Sequence, residues 1–130
     1  MAGAPGNTLN DLKNQSLAAR LKFAFAGLGY AIRAERSLRT QLLVLAIVIV
    51  VCAYLRPAPI WWALVLVISS AVIAAELFNT AVERLADQLQ PELHPQIRII
   101  KDCAAAAVLV LSAGALCVAA ALVVSLWNAQ

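Results

Sequence analysis

A chain of 130 residues has room for one small domain, and 63% hydrophobic against 13% charged residues excludes an ordinary water-exposed surface, where about a quarter of residues are charged. A mean hydropathy of +0.84 on so short a chain makes the solvent largely lipid, because small domains leave much of their surface uncovered. The net charge of +3 suits a phosphate-bearing partner, but no recognition module or basic-aromatic platform points to nucleic acid, and lipid headgroups are the nearer phosphates.

In chain order, the first pattern falls within residues 11–34. Leu17, Leu21, Phe25, Leu28 and Ile32 recur at steps of four, four, three and four, which is one face of a helix. Lys13, Arg20, Lys22 and Arg33 surround that face, so an amphipathic helix lying on the membrane surface is expected. The first forty residues carry charges throughout and lack an apolar core followed by a small-residue cleavage site, so no cleaved signal peptide is expected.

Three continuous apolar runs follow, from Leu38 to Leu55, from Ile60 to Ala81 and from Cys103 to Trp127. They predict transmembrane helices over 38–56, 60–82 and 103–127. A hydrocarbon core of about 30 Å takes about 20 helical residues, so the first span is the shortest or most tilted. Helix is required because the runs do not alternate, and three lone strands could not satisfy their edges in lipid. The predicted fold is an all-α, single-domain membrane protein of three transmembrane helices and one surface helix.

Lys13, Arg20, Lys22, Arg33, Arg36 and Arg39 precede the first span, Arg56 alone lies in the next connection, Arg84, Arg98 and Lys101 lie in the one after, and nothing basic follows the third span. The positive-inside rule therefore puts the N-terminus and the 83–102 connection in the cytoplasm and the C-terminus outside. Tyr54, Trp61, Trp62 and Trp127 all fall at the outer ends and read as an interfacial belt without a site role.

Cys52, Cys103 and Cys117 lack CxxC spacing and read as small hydrophobes, and His94 beside Pro95 reads as a turn or surface histidine, so no zinc site or structural disulfide is expected. The small residues of the third run, Ala104 to Ala107, Ala113 to Ala115 and Ala119 to Ala121, permit close helix approach and point to self-association.

The residues that cost most in lipid are Glu76, Asn79, Glu83 and Asp87, at offsets of three, seven and eleven from the first, which puts all four on one helix face. A charge at the bilayer centre costs roughly 2.5 to 3.5 kcal/mol, so a stripe of carboxylates needs compensating cations. Glu35 precedes the first span on the same side, and Lys101 and Asp102 open the third, so all three spans bring polar groups to one level. Glu83 and Asp87 alone could be a solvated helix end paired with Arg84 and Lys101. Glu76 and Asn79 lie inside the apolar run, where an ionisable group is a functional candidate. Magnesium takes oxygen ligands, one or two carboxylates together with substrate phosphates, and Glu35 with Glu83 are of that type. No GxxxxGK[ST] loop exists, so a nucleotide would be held by side chains and metal. An oligomeric cation channel or small transporter is the reading from another class, against which Lys101 beside Asp102 argues.

The string Ala75-Glu76-Leu77-Phe78-Asn79-Thr80-Ala81-Val82-Glu83, followed by Asp87 and by Ile100-Lys101-Asp102 with Ala104 to Val108, resembles the signature of the prokaryotic diacylglycerol kinases and the related undecaprenol kinases. Ala34-Glu35-Arg36-Ser37 matches the earlier acidic position of that family. The likeness runs from about Leu17 to the C-terminus and leaves residues 1–10 as a mobile tail. It implies a homotrimer, with ATP and magnesium as co-substrate and cofactor and a membrane lipid alcohol as acceptor.

Position by position, the resemblance implies Glu76 as general base and Glu35 and Glu83 as metal ligands. It places Lys101, Asp102, Asp87, Glu35 and Glu83 around ATP, and Asn79, Arg39 and Leu21 in support of substrate and site. The surface helix carries Ala24 and Phe25 where diacylglycerol kinases often have polar and tryptophan positions, while Asn79-Thr80-Ala81 and His94-Pro95 look closer to the undecaprenol kinase branch. The implied reaction is phosphorylation of diacylglycerol at the cytoplasmic side of a bacterial inner membrane, with undecaprenol as the alternative acceptor.

Overall fold

The computed structural model describes residues 16–89 and 94–128, so the expected tail and Lys13 lie outside the described residues. Four helices follow one another: α1 (Leu17–Ala34), α2 (Arg36–Leu55), α3 (Pro59–Leu89) and α4 (Pro95–Asn128). Among the described residues there is no strand. The last three are long and apolar enough to cross a membrane.

Local chemistry sets most of the helix boundaries. Ser16 caps α1 by accepting a hydrogen bond from the Ala19 N–H at 3.3 Å. At the other end Glu35 turns to extended backbone (φ −106°, ψ 120°) while its N–H closes the helix onto the Ala31 carbonyl at 2.8 Å. The Arg39 guanidinium donates to the carbonyls of Ile32 and Arg33 at 3.2 and 2.9 Å, so two free acceptors in the last turn of α1 are met by a cation. One residue, Glu35, is thus the whole joint between surface helix and first span.

The α2–α3 connection is equally short. Arg56 adopts the left-handed conformation (φ 48°, ψ 54°) and donates its N–H to the Cys52 carbonyl at 2.8 Å, ending α2. Pro57 follows, and Pro59 opens α3, where its fixed φ suits a helix start and its missing N–H is no loss. Pro95 opens α4 in the same way, and His94 Nδ1 accepts from the Gln96 N–H at 3.2 Å, a turn role for the histidine.

Length then positions the site. The 20 residues of α2 rise about 30 Å, one hydrocarbon thickness, whereas the 31 of α3 and 34 of α4 rise about 46 and 51 Å. Measured from the Trp61 end, about 20 residues of α3 bring the helix to Asn79 at the far boundary. Glu76 therefore sits within one turn inside the apolar layer, and Glu83 and Asp87 sit beyond it. The long helices cover much of what the sequence marks as the 83–102 connection.

α3 and α4 pack along each other, while α2 leans more lightly on α3. Cys52, Val65 and Leu122 form a small core near the Arg56 end, with Trp61 and Trp62 partly buried against it, while Tyr54 and Trp127 are exposed. Cys52 is buried and Cys103 and Cys117 are exposed, all three as free thiols. Most apolar side chains of the spans face outward, among them Phe78, Leu109 and Leu116. These faces suit lipid or another copy of the chain.

Candidate functional site

Polar side chains from all four helices gather where α1 meets α2. Glu76 is the centre, a carboxylate only 6% exposed on α3. Gln41 of α2 donates through Nε2 to Glu76 Oε2 at 3.5 Å, a long bond that leaves the carboxylate lightly held. One turn on, Thr80 is buried and satisfies its hydroxyl by donating to the Glu76 main-chain carbonyl at 2.9 Å. Asn79 Nδ2 donates to Glu83 Oε1 at 3.0 Å across the next turn. The amide oxygens of Gln41 and Asn79 are both buried without a partner. Both oxygens can accept a hydrogen from water or from a bound group.

The outer layer is ionic. Arg84 on α3 lies 3.5 Å from Glu35 and sits over the Tyr30 ring at 5.8 Å from its centroid, tying the α1–α2 joint to α3. Lys101 on α4 donates to Asp87 Oδ1 at 2.9 Å, tying α4 to α3. Glu35 and Glu83 both lie near enough for their charges to act on Glu76. Three carboxylates therefore converge from two elements of the fold, and the cations Arg84 and Lys101 stand around them.

The residues singled out from sequence separate into three groups. Glu35, Glu76, Asn79 and Glu83 come together, and Asp87 and Lys101 meet at the outer edge as a pair. Asp102 is exposed and its contact is Arg98 at 3.9 Å, a surface pair of little energetic weight. Arg39 serves the end of α1, and Leu21 is half-exposed on α1. Gln41 and Tyr30 have no part in the sequence reading, Thr80 enters it only within the motif, and Arg84 only in the charge count and as an ion-pair partner of Glu83 or Asp87. Gln41 carried a usable signal, an amide at the start of an otherwise apolar run; the others become visible only through their partners.

Among the described residues no group of three or more His, Cys, Asp or Glu side chains forms a metal cluster. The donor set that exists is two carboxylates, Glu35 and Glu83, each with one oxygen engaged by a neighbour. Two carboxylates completed by phosphate oxygens and water fit magnesium, which rarely uses an all-protein cage.

The family model described as prokaryotic diacylglycerol kinase matches residues 22–123. The chain belongs to this family. The match contains Glu35, Gln41, Glu76, Asn79, Glu83, Asp87, Lys101 and Asp102 and stops one residue short of Leu21. A curated protein named diacylglycerol kinase from Synechocystis sp. is 33% identical over 104 residues, which is 79% of this chain. The chain spans 59% of the length of that relative. As a member of the prokaryotic diacylglycerol kinase family with three apolar helices of spanning length, it is a multi-pass membrane protein.

Proposed function

We propose that the chain is a lipid kinase that transfers the γ-phosphoryl group of ATP to a membrane lipid alcohol, with diacylglycerol as the leading acceptor and undecaprenol as the alternative within the family. The observation that carries this reading is the depth order of the carboxylates. Glu76 is buried, and Glu83 and Asp87 follow it two and three turns further along α3 toward the polar end, with Lys101 against Asp87, so an apolar layer ending near Asn79 would put Glu76 on the side of a lipid hydroxyl and the others on the side of a nucleotide.

In this reading Glu76 accepts the proton of the lipid hydroxyl as that oxygen forms its bond to the γ-phosphorus. The bond from phosphorus to the bridging oxygen breaks, and ADP leaves. A base on the lipid side is needed because an alcohol is a poor nucleophile until its proton has an acceptor. Lys101 exchanges Asp87 for phosphate oxygens, and Asn79 holds Glu83 in place from below. Glu35 and Glu83 would hold magnesium, which supplies neutralisation of phosphate charge when bound. The outward apolar faces are compatible with self-association, and three as the number of subunits is what the family resemblance implies.

Purified protein in bilayers, given MgATP with and without diacylglycerol or undecaprenol, is expected to form the corresponding lipid phosphate at a rate set by one of the two. Absence of lipid-dependent ATP consumption with either acceptor would remove the kinase reading and leave the channel. Orientation follows the basic residues at the Glu35 end, which supports a cytoplasmic placement of that end, in a bacterial inner membrane as the family resemblance implies. Membrane-impermeant thiol reagents are expected to label a cysteine introduced at Gln90 only from the cytoplasmic side and one at Gln130 only from outside. Labelling of both from one side would break the three-span arrangement.

A further inference from the structure

The sequence motifs do not include Gln41, yet it makes the side-chain contact that reaches the Glu76 carboxylate from another helix. We propose that Gln41 is the positioning residue of Glu76, with an amide that serves the carboxyl group in both of its protonation states. This rests on the reading of Glu76 as the base.

The chemistry follows from what a base undergoes in one turnover. As a carboxylate Glu76 only accepts hydrogen bonds, and Gln41 Nε2 now faces it as a donor. After the lipid O–H bond breaks and the proton moves to Glu76, the new carboxylic acid must donate that hydrogen. Gln41 Oε1 is buried and without a partner, so a half-turn of the amide gives the acid an acceptor at the same place. A lysine, which only donates, could not do both, and a serine hydroxyl would be too short to reach from the same backbone position. The surroundings make the partner necessary: Glu76 is 6% exposed, Thr80 spends its hydroxyl on the main chain, and Asn79 is turned to Glu83. The charged groups acting on Glu76, namely Glu35 and Glu83, are both acidic and cannot hold a carboxylate in place.

Gln41 also lines an apolar cleft of about 460 Å³ between α2, α3 and α4, together with Val44, Val48, Val72 and Leu122. The amide stands at the polar end of that cleft, so its loss leaves Glu76 beside hydrocarbon with no directional contact from α2.

The test uses the full chain in bilayers with MgATP and, in parallel, short-chain diacylglycerol and undecaprenol as acceptors. Gln41→Met keeps length and removes both hydrogen-bonding atoms. It is expected to lower kcat about ten- to a hundredfold, as loss of an orienting partner does, with MgATP affinity changed less than about twofold. Gln41→Glu, which as a neutral acid can also donate and accept, is expected to restore most of that loss. In a Glu76→Gln background, Gln41→Met is expected to cause no further fall in residual turnover. The proposal is overturned if Gln41→Met keeps parental kcat, if its loss appears in MgATP binding, or if its effect adds in full to that of Glu76→Gln. Should Gln41→Met fail to assemble, Gln41→Asn, an amide one methylene too short, must show the same kcat loss, and parental kcat there overturns the proposal. Near-parental turnover of Glu76→Gln alone would remove the base itself. An inactive Glu76→Gln beside an unaffected Gln41→Met removes only the role of Gln41.

Discussion

Glu76→Gln is expected to abolish phosphoryl transfer while MgATP still binds. The amide keeps the size of the side chain and its contact with Gln41, so α2 and α3 stay together. What is lost is the acceptor for the lipid proton, and general-base catalysis contributes about 10² to 10⁴ in rate, or about 3 to 5 kcal/mol of barrier. Removing a buried charge from an apolar layer relieves a desolvation cost, so the variant is expected to be at least as stable as its parent. The measurement is kcat alongside direct nucleotide binding and thermal stability. Near-parental turnover would move proton transfer to another group or to water.

Glu83→Gln is expected to fail differently. Asn79 can still bond an amide oxygen there, so the local turn of α3 survives, but one of two carboxylates for magnesium is gone. Loss of a metal-binding oxygen is expected to weaken metal-dependent nucleotide binding by about tenfold or more, with turnover recovering as magnesium is raised. Manganese binding followed by electron paramagnetic resonance gives the same comparison without turnover. Unchanged metal affinity in Glu83→Gln, or recovery of Glu76→Gln by excess magnesium, would exchange the two roles.

The spans are legible in sequence because composition decides them: runs such as Leu42 to Ala53 contain no charged, amide or hydroxyl side chain. The stripe from Glu76 to Asp87 is equally legible, since helix periodicity alone brings the four side chains to one face. Partners across helices are not. Whether Lys101 meets Asp87 or Asp102, and whether Arg84 meets Glu83 or Glu35, depends on the register of α3 against α4 and on the angle at Glu35, which periodicity within one helix does not contain. Gln41 is overlooked for a related reason. At the edge of an apolar run an amide resembles a flank, until the depth of Glu76 on the neighbouring helix shows that the two lie at one level. The lengths of α3 and α4 beyond the lipid are also hidden, because their polar ends look like loop until Leu89 and Pro95 are seen to bound them.

The one-residue joint at Glu35 gives the molecule a mechanical property. Its backbone sets the inclination of α1 to α2, and its side chain, through Arg84, is anchored to the helix that carries Glu76. A change in the tilt of α1 is therefore expected to be passed toward α3 through this joint and its ion pair. A bilayer that thins, curves or gains anionic lipid pulls on α1 first, through its basic and apolar faces. With a single residue between α1 and α2 there is little linker to absorb that pull, so turnover is expected to vary with the thickness and charge of the bilayer.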